Sequence, residues 1–208
     1  MDDTYCTIRG EAREEFAEKR SRFIGSAKPV VSEGEAAEFI RGVRARNREA
    51  SHNVYAYVLR AGQARRYSDD GEPQGTAGVP VLEVLLKGGI ADAAAVVTRY
   101  FGGVLLGAGG LVRAYSRAAS LAVEAAGRTV MAACLTASLR CPYDRYGRVA
   151  PLVERFGGAV DGETFAEQVT LSFHLPCGGV AAFRSALADA TGGGVRLEPE
   201  GKKYYPSA

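Results

Sequence analysis

The chain has 208 residues, which is long enough to bury a substantial core and allows either one large domain or two small ones. Its 26 lysines and arginines and 24 aspartates and glutamates leave a net charge of only +2, so the chain lacks the basic excess of many nucleic-acid-binding domains. Any basic binding site must therefore be a local patch.

Cysteine, histidine and hydropathy narrow the class of protein further. The four cysteines contain no CxxC pair and there are only two histidines, which leaves little to build a structural zinc site; we assign no metal ligand and expect no cofactor. We interpret the cysteines as reduced thiols, which are typical of the cytoplasm. No apolar segment follows a basic start, and no run of about 18 apolar residues occurs, which predicts a cytoplasmic protein without membrane contact.

The first part of the chain, residues 1–129, predicts a domain that mixes strands and helices. Ser32 followed by Glu35 is a capping box, so a helix is expected to begin there. In chain order the predicted elements are two strand-like stretches within 5–31 (the first at 13–18), a helix to about 47, a strand over 52–60, a hairpin partner over 64–68, a loop over 68–80, a short helix capped by Thr76 and ended by Gly88, a buried strand over 93–98 and a long helix over 108–126.

The second part, residues 130–208, predicts a smaller domain. Its elements are a strand over 132–140, a helix over 143–156, strands over 159–165 and 168–175, a helix over 179–190 and a strand over 195–198. The order βαββαβ is the ferredoxin-like arrangement. Alternation along 169–175 indicates a sheet with one buried and one open face, and the open face lacks the aromatic pair of an RNA-recognition sheet. We therefore predict an α+β fold with two domains.

The most distinctive stretch is RYFGGVLLGAGGLVRAYSR at 99–117, where an apolar strand runs into glycines and then into a helix. Free N–H groups at the helix start and bracketing guanidinium groups suit a phosphate. A second glycine-rich helix start lies at 75–78. Neither stretch has the lysine and hydroxyl of a P-loop or the GxGxxG pattern, and close packing of strand against helix explains such glycines equally well.

Basic residues also cluster at 19–22 and 65–66, and clustering of this kind would attract an RNA backbone. The arginines at 41, 44 and 48 lie on one helix face, which is either solvated or a nucleic-acid contact. The candidates for nucleic-acid or anion binding are Lys19, Arg22, Arg65, Arg66, Gly75, Thr76, Arg99, Gly102, Gly103, Gly109, Gly110 and Arg113.

Four polar residues are weak candidates for catalysis. Asp69, Asp70 and Glu72 could hold a divalent ion with a phosphorylated substrate, although Ser-Asp-Asp-Gly-Glu-Pro is equally typical of turn chemistry. His52 could act as a general base, or it could be a histidine hydrogen-bonded at a strand end. No nucleophile-elbow pattern or second histidine completes a triad, so no catalytic residue is assigned.

Four segments carry a resemblance to a known family: KRSRFIGSAKPV at 19–30, HNVYAY at 52–57, YSDDGEPQGTAGVP at 67–80 and VVTRYFGGVLLGAGGLVRAYSRAA at 96–119. Over nearly all of its first half the chain closely resembles the YigZ/IMPACT family. The resemblance implies a first domain with the fold of domain IV of elongation factor G and of a small-subunit ribosomal protein, a β-α sandwich. The second domain looks like the additional domain of bacterial members, similar to domain V of the same factor.

The resemblance also implies a role in translation regulation. Eukaryotic relatives act through a protein partner that controls the initiation-factor kinase response, and bacterial members are presumed to bind nucleic acid or the ribosome. The leading hypothesis is thus binding of RNA, the ribosome or a translation partner through the first domain. An enzyme acting on a phosphorylated or nucleotide substrate with His52 and the Asp69, Asp70 and Glu72 loop is the alternative, and a pure protein-interaction module is a third.

Overall fold

Strands and helices alternate irregularly along the computed structural model, which describes residues 4–207. The strands are β1 (Thr4–Ile8), β2 (Ala12–Glu18), β3 (Ser21–Pro29), β4 (His52–Val58), β5 (Arg65–Ser68), β6 (Ala93–Tyr100), β7 (Arg128–Cys141), β8 (Ala159–Phe165), β9 (Val169–Pro176) and β10 (Leu197–Pro206). The helices are α1 (Glu33–Arg46), α2 (Gly78–Lys87), α3 (Ala108–Ala126), α4 (Tyr143–Arg155) and α5 (Val180–Thr191). The described part of the chain divides into two units, Tyr5–Val130 and residues 131–207, with Thr4 assigned to the second.

The first unit is built on a five-stranded antiparallel sheet in the order β2-β3-β6-β4-β5. Its central strand β6 is apolar on both faces because both are covered. Ala93, Ala95 and Val97 belong to the core shared with α2 and α3, whereas Ala94 and Val96 belong to the core shared with α1. The sheet therefore lies between helices on both sides, which explains a strand without polar alternation.

Small residues bring α3 into close contact with the sheet. A Cβ atom at Gly25 of β3 would overlap the carbonyl group of Ala118. The apolar stripe predicted along α3 is confirmed, since Leu111, Tyr115 and the alanines that follow are buried. Alanine and glycine at this contact allow the helix backbone to approach the strand, so the start of α3 lies beside the β2–β3 hairpin.

In the second unit β10, β7, β9 and β8 pair antiparallel in that order, and α4 and α5 cover their core. This is the predicted ferredoxin-like arrangement, and the alternation of buried and half-buried residues along β9 confirms one covered face. β10 continues well beyond the predicted 195–198. Its extension brings Tyr205 onto His174 with ring centroids 3.6 Å apart, so this face carries one stacked aromatic pair that the short strand could not predict.

Two further local predictions need correction. The N-terminal segment holds three strands rather than two, because β1 is a short strand that pairs with β7; its Cys6 also makes an isolated parallel bridge with Ile90. Thr76 does not cap α2. Its hydroxyl donates to the carbonyl of Pro73 at 2.6 Å, and the helix begins at Gly78, directly after Ala77. Within residues 4–207, every helix is too short or too polar to cross a lipid bilayer.

Candidate functional site

One end of the first sheet collects most of the predicted site residues. The β2–β3 turn, the start of β4, the end of β6 and the first turn of α3 all lie at this end, because antiparallel pairing sets Arg22 opposite Tyr100 and His52 opposite Arg99. The loop between β5 and α2 lies over the same end of the sheet, because the side chain of Asp70 accepts a hydrogen bond from the N–H of Asn53.

A buried polar cluster lies under this end of the sheet. Arg99 Nη1 donates to Glu72 Oε1 at 2.6 Å, and the hydroxyl of Tyr115 donates to the same oxygen at 2.7 Å. Arg99 Nη2 donates to the hydroxyl of Ser21 at 3.3 Å. Arg99 is only 5% exposed, Glu72 8% and Tyr115 0%, so the two opposite charges are held out of water together. A buried pair of this kind depends on the presence of both partners.

The hydroxyl of Tyr115 stays protonated and donates a hydrogen bond to Glu72. Burial raises its pKa above the ordinary tyrosine value, and the hydrogen bond to the Glu72 carboxylate raises it further. This role was missed by sequence reasoning, which treated Tyr115 as one apolar position of the α3 stripe. A hydroxyl on an otherwise alanine-rich buried face was the available signal, because a buried tyrosine hydroxyl usually has a partner.

The acidic loop is held by its own carboxylates. Asp69 accepts from the N–H groups of Gly75, Ala77 and Gly78 at 2.9, 3.1 and 2.7 Å, and it thereby does the capping predicted for Thr76. Asp70 accepts from Arg44 Nη2 and from the N–H of Asn53, each at 2.6 Å. The turn-chemistry interpretation therefore describes Asp69 and Asp70. Among residues 4–207 no three histidine, cysteine or acidic side chains are grouped to hold a metal ion.

His52 is oriented by the same loop. Its Nδ1 lies 2.8 Å from the carbonyl oxygen of Asp70, and its Nε2 lies 3.8 Å from Glu72 Oε1. Because a carbonyl oxygen only accepts hydrogen bonds, Nδ1 carries the hydrogen, and Nε2 of the neutral ring offers a lone pair. Of the four catalytic candidates, the structure brings His52 and Glu72 together, whereas Asp69 bonds to backbone N–H groups and Asp70 to the N–H of Asn53 and to Arg44.

A cleft of about 430 Å³ opens above this cluster. His52, Glu72 and Arg99 contribute its polar groups, and the β6–α3 loop contributes apolar walls. Leu105 is 82% exposed and Phe101 46% exposed, which is unusual for large apolar side chains that could have been buried. The lining is completed by Ser51, Pro73, Leu106, Gly107, Ala108 and Leu111.

A second concavity, which we call the basic hollow, lies next to the cleft. It has a volume of about 250 Å³ and is lined by Lys19, Arg113 and Arg117 together with Phe16, Glu18, Leu106, Gly110 and Ala114. The Arg117 guanidinium lies 4.4 Å from the centre of the Phe16 ring. All three basic residues are exposed, so their charges are accessible to an anion.

The first turn of α3 adds hydrogen-bond donors beside the basic hollow. The helix starts behind Gly107 without a side-chain cap, and its first backbone bond runs from the N–H of Leu111 to the carbonyl of Gly107. The N–H groups of Ala108, Gly109 and Gly110 precede that bond and lack intrahelical partners. Donors and the positive end of the helix dipole therefore lie next to three cationic side chains.

The turn between β2 and β3 has an unusual backbone. Its two residues, Lys19 and Arg20, have φ angles of 44° and 67°. Two-residue hairpins with both φ angles positive normally use Asn-Gly, because a larger side chain is strained there. A Cβ at Gly102 would overlap the backbone of Arg20, so only glycine allows the β6–α3 loop to approach this turn. Backbone strain that persists in a folded protein is often found at functional sites.

The other predicted basic residues do not line the basic hollow. Arg65 and Arg66 lie on β5, at the opposite edge of the sheet from β2, and pair with the far end of β4. Arg22 donates to Glu15 at 2.6 Å, and this contact raises the pKa of Arg22 and lowers that of Glu15. Arg99, expected at the surface, is buried because it neutralises Glu72.

The predicted glycines have mixed roles. Gly109 and Gly110 lie in the exposed first turn of α3, beside the arginines as expected. Gly103 adopts a φ of 81°, which the β6–α3 loop requires. Gly75 instead donates to Asp69, and Gly102 makes the close approach to Arg20, so packing and loop closure explain these two.

Sequence comparisons match both parts of the chain to known domain families. The profile of the Impact N-terminal domain matches residues 19–123, and that of a domain of unknown function, DUF1949, matches residues 139–193. The chain is 35% identical over 182 residues to IMPACT family member YigZ of Escherichia coli, which covers 86% of this chain and 89% of the relative. It is 38% identical over 181 residues to an IMPACT family member of Thermus thermophilus, covering 86% of this chain and 98% of the relative.

Two further matches agree. IMPACT family member YvyE of Bacillus subtilis is 47% identical over 121 residues, which cover 58% of this chain and 56% of the relative. A crystal structure of a hypothetical protein, 31% identical, superposes with a TM-score of 0.65 and covers 97% of this chain and 99% of its own. The identity and coverage of these relatives, together with the two domain matches, establish that the chain belongs to the IMPACT family.

Proposed function

We propose that this protein acts in translation regulation by binding structured RNA, free or in the ribosome, through the basic hollow. Membership of the IMPACT family supports a translation-related regulatory role in general terms. The observation that carries the finer proposal is the convergence of Lys19, Arg113 and Arg117 on the uncapped start of α3. Cationic side chains and free backbone N–H groups are the donors that RNA-binding proteins direct at phosphates.

Local charge and the strained turn support this proposal. Net charge supplies no general attraction, so affinity must come from a patch in which several cations face one concavity. The turn carries Lys19 and Arg20 at positions where Asn-Gly would be less strained. Basic side chains retained at a strained turn are consistent with a contact surface for a polyanion.

The test is the salt dependence of binding by the double variant Arg113→Ala/Arg117→Ala. Binding of a structured RNA and of ribosomes would be measured at several salt concentrations. Removing two phosphate contacts should flatten the plot of log K against log salt concentration by roughly 1.8 for a duplex target. Arg41→Ala/Arg48→Ala is the matched control, because both arginines are exposed, Arg41 on α1 and Arg48 just after its end, and α1 packs on the other face of the sheet. Absence of binding at low salt, or an unchanged slope in a folded variant, would exclude this surface.

A second candidate function is an enzyme acting on a phosphorylated or nucleotide substrate. The observation that favours it is the orientation of His52, whose Nδ1 is occupied by the Asp70 carbonyl and whose Nε2 lies beside Glu72 in the cleft. A general base needs such an available lone pair. Incubation with nucleoside monophosphates and RNA oligonucleotides tests this function. Product formation that is lost in His52→Gln would support it, and no product at any pH between about 6 and 9 would exclude it for these substrates.

A further inference from the structure

The cleft and the basic hollow are neighbours that share one wall. Leu106 lines both, and the first turn of α3 contributes Gly107 and Ala108 to the cleft and Gly110 to the hollow. A nucleotide has the same two parts, a flat base and an adjacent phosphate. We infer that the cleft receives an unpaired guanine base while the neighbouring phosphate lies in the basic hollow. This inference rests on the proposed function and specifies what kind of RNA it binds.

The walls of the cleft suit a flat, apolar surface. Phe101, Leu105, Leu106 and Leu111 provide an aromatic ring and three leucines around a volume of about 430 Å³, within the usual range for small-ligand pockets. Proteins that bind single-stranded RNA stack unpaired bases on exposed aromatic and apolar side chains. A base inserted here would cover Leu105, which is otherwise 82% exposed, and part of Phe101.

Two acceptors are available among the polar groups of the cleft. Arg99 Nη1 donates to Glu72 and Nη2 to Ser21, Arg99 Nε is buried without a hydrogen-bond partner among the described residues, and the hydroxyl of Tyr115 donates to Glu72. Because Glu72 Oε1 receives both of its hydrogen bonds, Oε2 remains as the oxygen that Glu72 can offer. His52 Nε2 is the second acceptor, since the Asp70 carbonyl holds the hydrogen on Nδ1.

Guanine fits these two acceptors better than the other bases. Its hydrogen-bonding edge presents two adjacent donors, the N1–H and the N2 amino group. Adenine and cytosine present one donor group beside a ring acceptor, and uracil presents one N–H between two carbonyls. A ring acceptor or carbonyl facing Glu72 would leave a buried carboxylate oxygen unpaired, which discriminates against those bases.

The experiment compares oligouridines that carry one central guanosine, inosine or adenosine, with binding to the full chain followed by fluorescence anisotropy. Inosine differs from guanosine only by loss of the N2 amino group. The guanosine oligonucleotide should bind about tenfold more tightly than the inosine one, as expected for a lost base-specific hydrogen bond. Phe101→Ala/Leu105→Ala should abolish this difference. Val31→Ala, at a 58% exposed apolar position by the start of α1, should retain it.

The outcomes separate the two proposals. Equal affinity for all three oligonucleotides, with binding still sensitive to Arg113→Ala/Arg117→Ala, would overturn the guanine cleft and leave RNA binding intact. A guanosine preference that survives Phe101→Ala/Leu105→Ala would also overturn it, because the base would then be read elsewhere. If no oligonucleotide binds at low salt, the proposed function fails. Titration with guanosine 5′-monophosphate then decides the cleft: amide NMR shifts at Phe101 and Leu105 would support it, and their absence would overturn it.

Discussion

Arg99 and the pair Arg113 and Arg117 come from the same glycine-rich stretch, yet the structure uses them in opposite ways. Arg99 is buried, and its guanidinium bonds to Glu72 and Ser21. Arg113 and Arg117 are exposed around the basic hollow, and no ion pair to either is found among residues 4–207. A buried ion pair holds the loop against the sheet, whereas exposed arginines keep their charge for a ligand. The same residue type thus supports the fold in one place and, in our proposal, binds a ligand in the other.

The largest expected effect is the loss of Glu72. Glu72→Ala leaves the buried Arg99 charge without its carboxylate, and removal of one partner of a buried pair costs about 3–5 kcal/mol. Urea unfolding followed by circular dichroism measures this loss. Glu83→Ala is the control, because Glu83 pairs with exposed Lys87 and should cost less than about 0.5 kcal/mol. A small loss for Glu72→Ala would mean that the two regions do not differ as described.

Replacing both members of the pair sharpens this test. Glu72→Leu/Arg99→Met removes the two charges together and should recover most of the stability lost by Glu72→Ala, because an apolar pair avoids desolvation. Comparison with the two single variants in a double-mutant cycle isolates their coupling. Additive effects would contradict a direct pairing.

The second largest effect concerns Tyr115. Tyr115→Phe removes the hydrogen bond to the Glu72 carboxylate and should cost about 1.5–3 kcal/mol at neutral pH. Because the folded-state pKa is raised, the contribution of Tyr115 is fully present below the unfolded tyrosine pKa of about 10 and is lost as pH rises further. Wild type should therefore lose stability more steeply than Tyr115→Phe between about pH 9 and 11.

The comparison for Tyr115 is urea unfolding across that pH range. Tyr67→Phe, at a 49% exposed ring, controls for the removal of one tyrosine hydroxyl. Equal pH slopes for wild type and Tyr115→Phe would contradict the raised pKa.

A smaller effect of opposite sign is expected at the β2–β3 turn. Lys19→Asn/Arg20→Gly relieves two positive φ angles and should stabilise the fold by up to about 1 kcal/mol, while it weakens RNA binding. Thermal unfolding and the binding assay measure the two effects. Gln63→Gly is the control, because Gln63 is an exposed residue with a φ of 51° and no charge. It should stabilise the fold without changing RNA binding.

The smallest stability effect is expected for the basic hollow. Arg113→Ala/Arg117→Ala should change the free energy of unfolding by less than about 0.5 kcal/mol, because both residues are exposed. Thermal unfolding, run beside the salt-dependent binding measurement, checks this value. A large loss of stability would show that these arginines belong to the structural group with Arg99.

Much of the fold could be predicted from local patterns. Helical periodicity placed α1 and α3, alternation placed β9, and the element order identified the ferredoxin-like unit, since each depends on neighbours in the chain. Short β1 and the extension of β10 were missed because the partner of both, β7, is distant in sequence. The start of α2 is capped by Asp69 instead of Thr76. Asp69 lies at the beginning of the loop, eight residues before Ala77, so local sequence did not indicate that its carboxylate would accept from the N–H groups of Ala77 and Gly78.

The sequence by itself determined which residues could carry charge or fit a tight turn: the glycines around α3, the basic pair at 19–20 and the polar loop at 68–78 follow from residue chemistry. Only the tertiary structure decided which charges meet. Glu72 bonds to Arg99 and Tyr115. Lys19, Arg113 and Arg117 line one hollow, whereas Arg65 and Arg66 lie at the far edge of the sheet. The reason is that burial and charge pairing depend on strand order and helix packing, which link segments far apart in the chain.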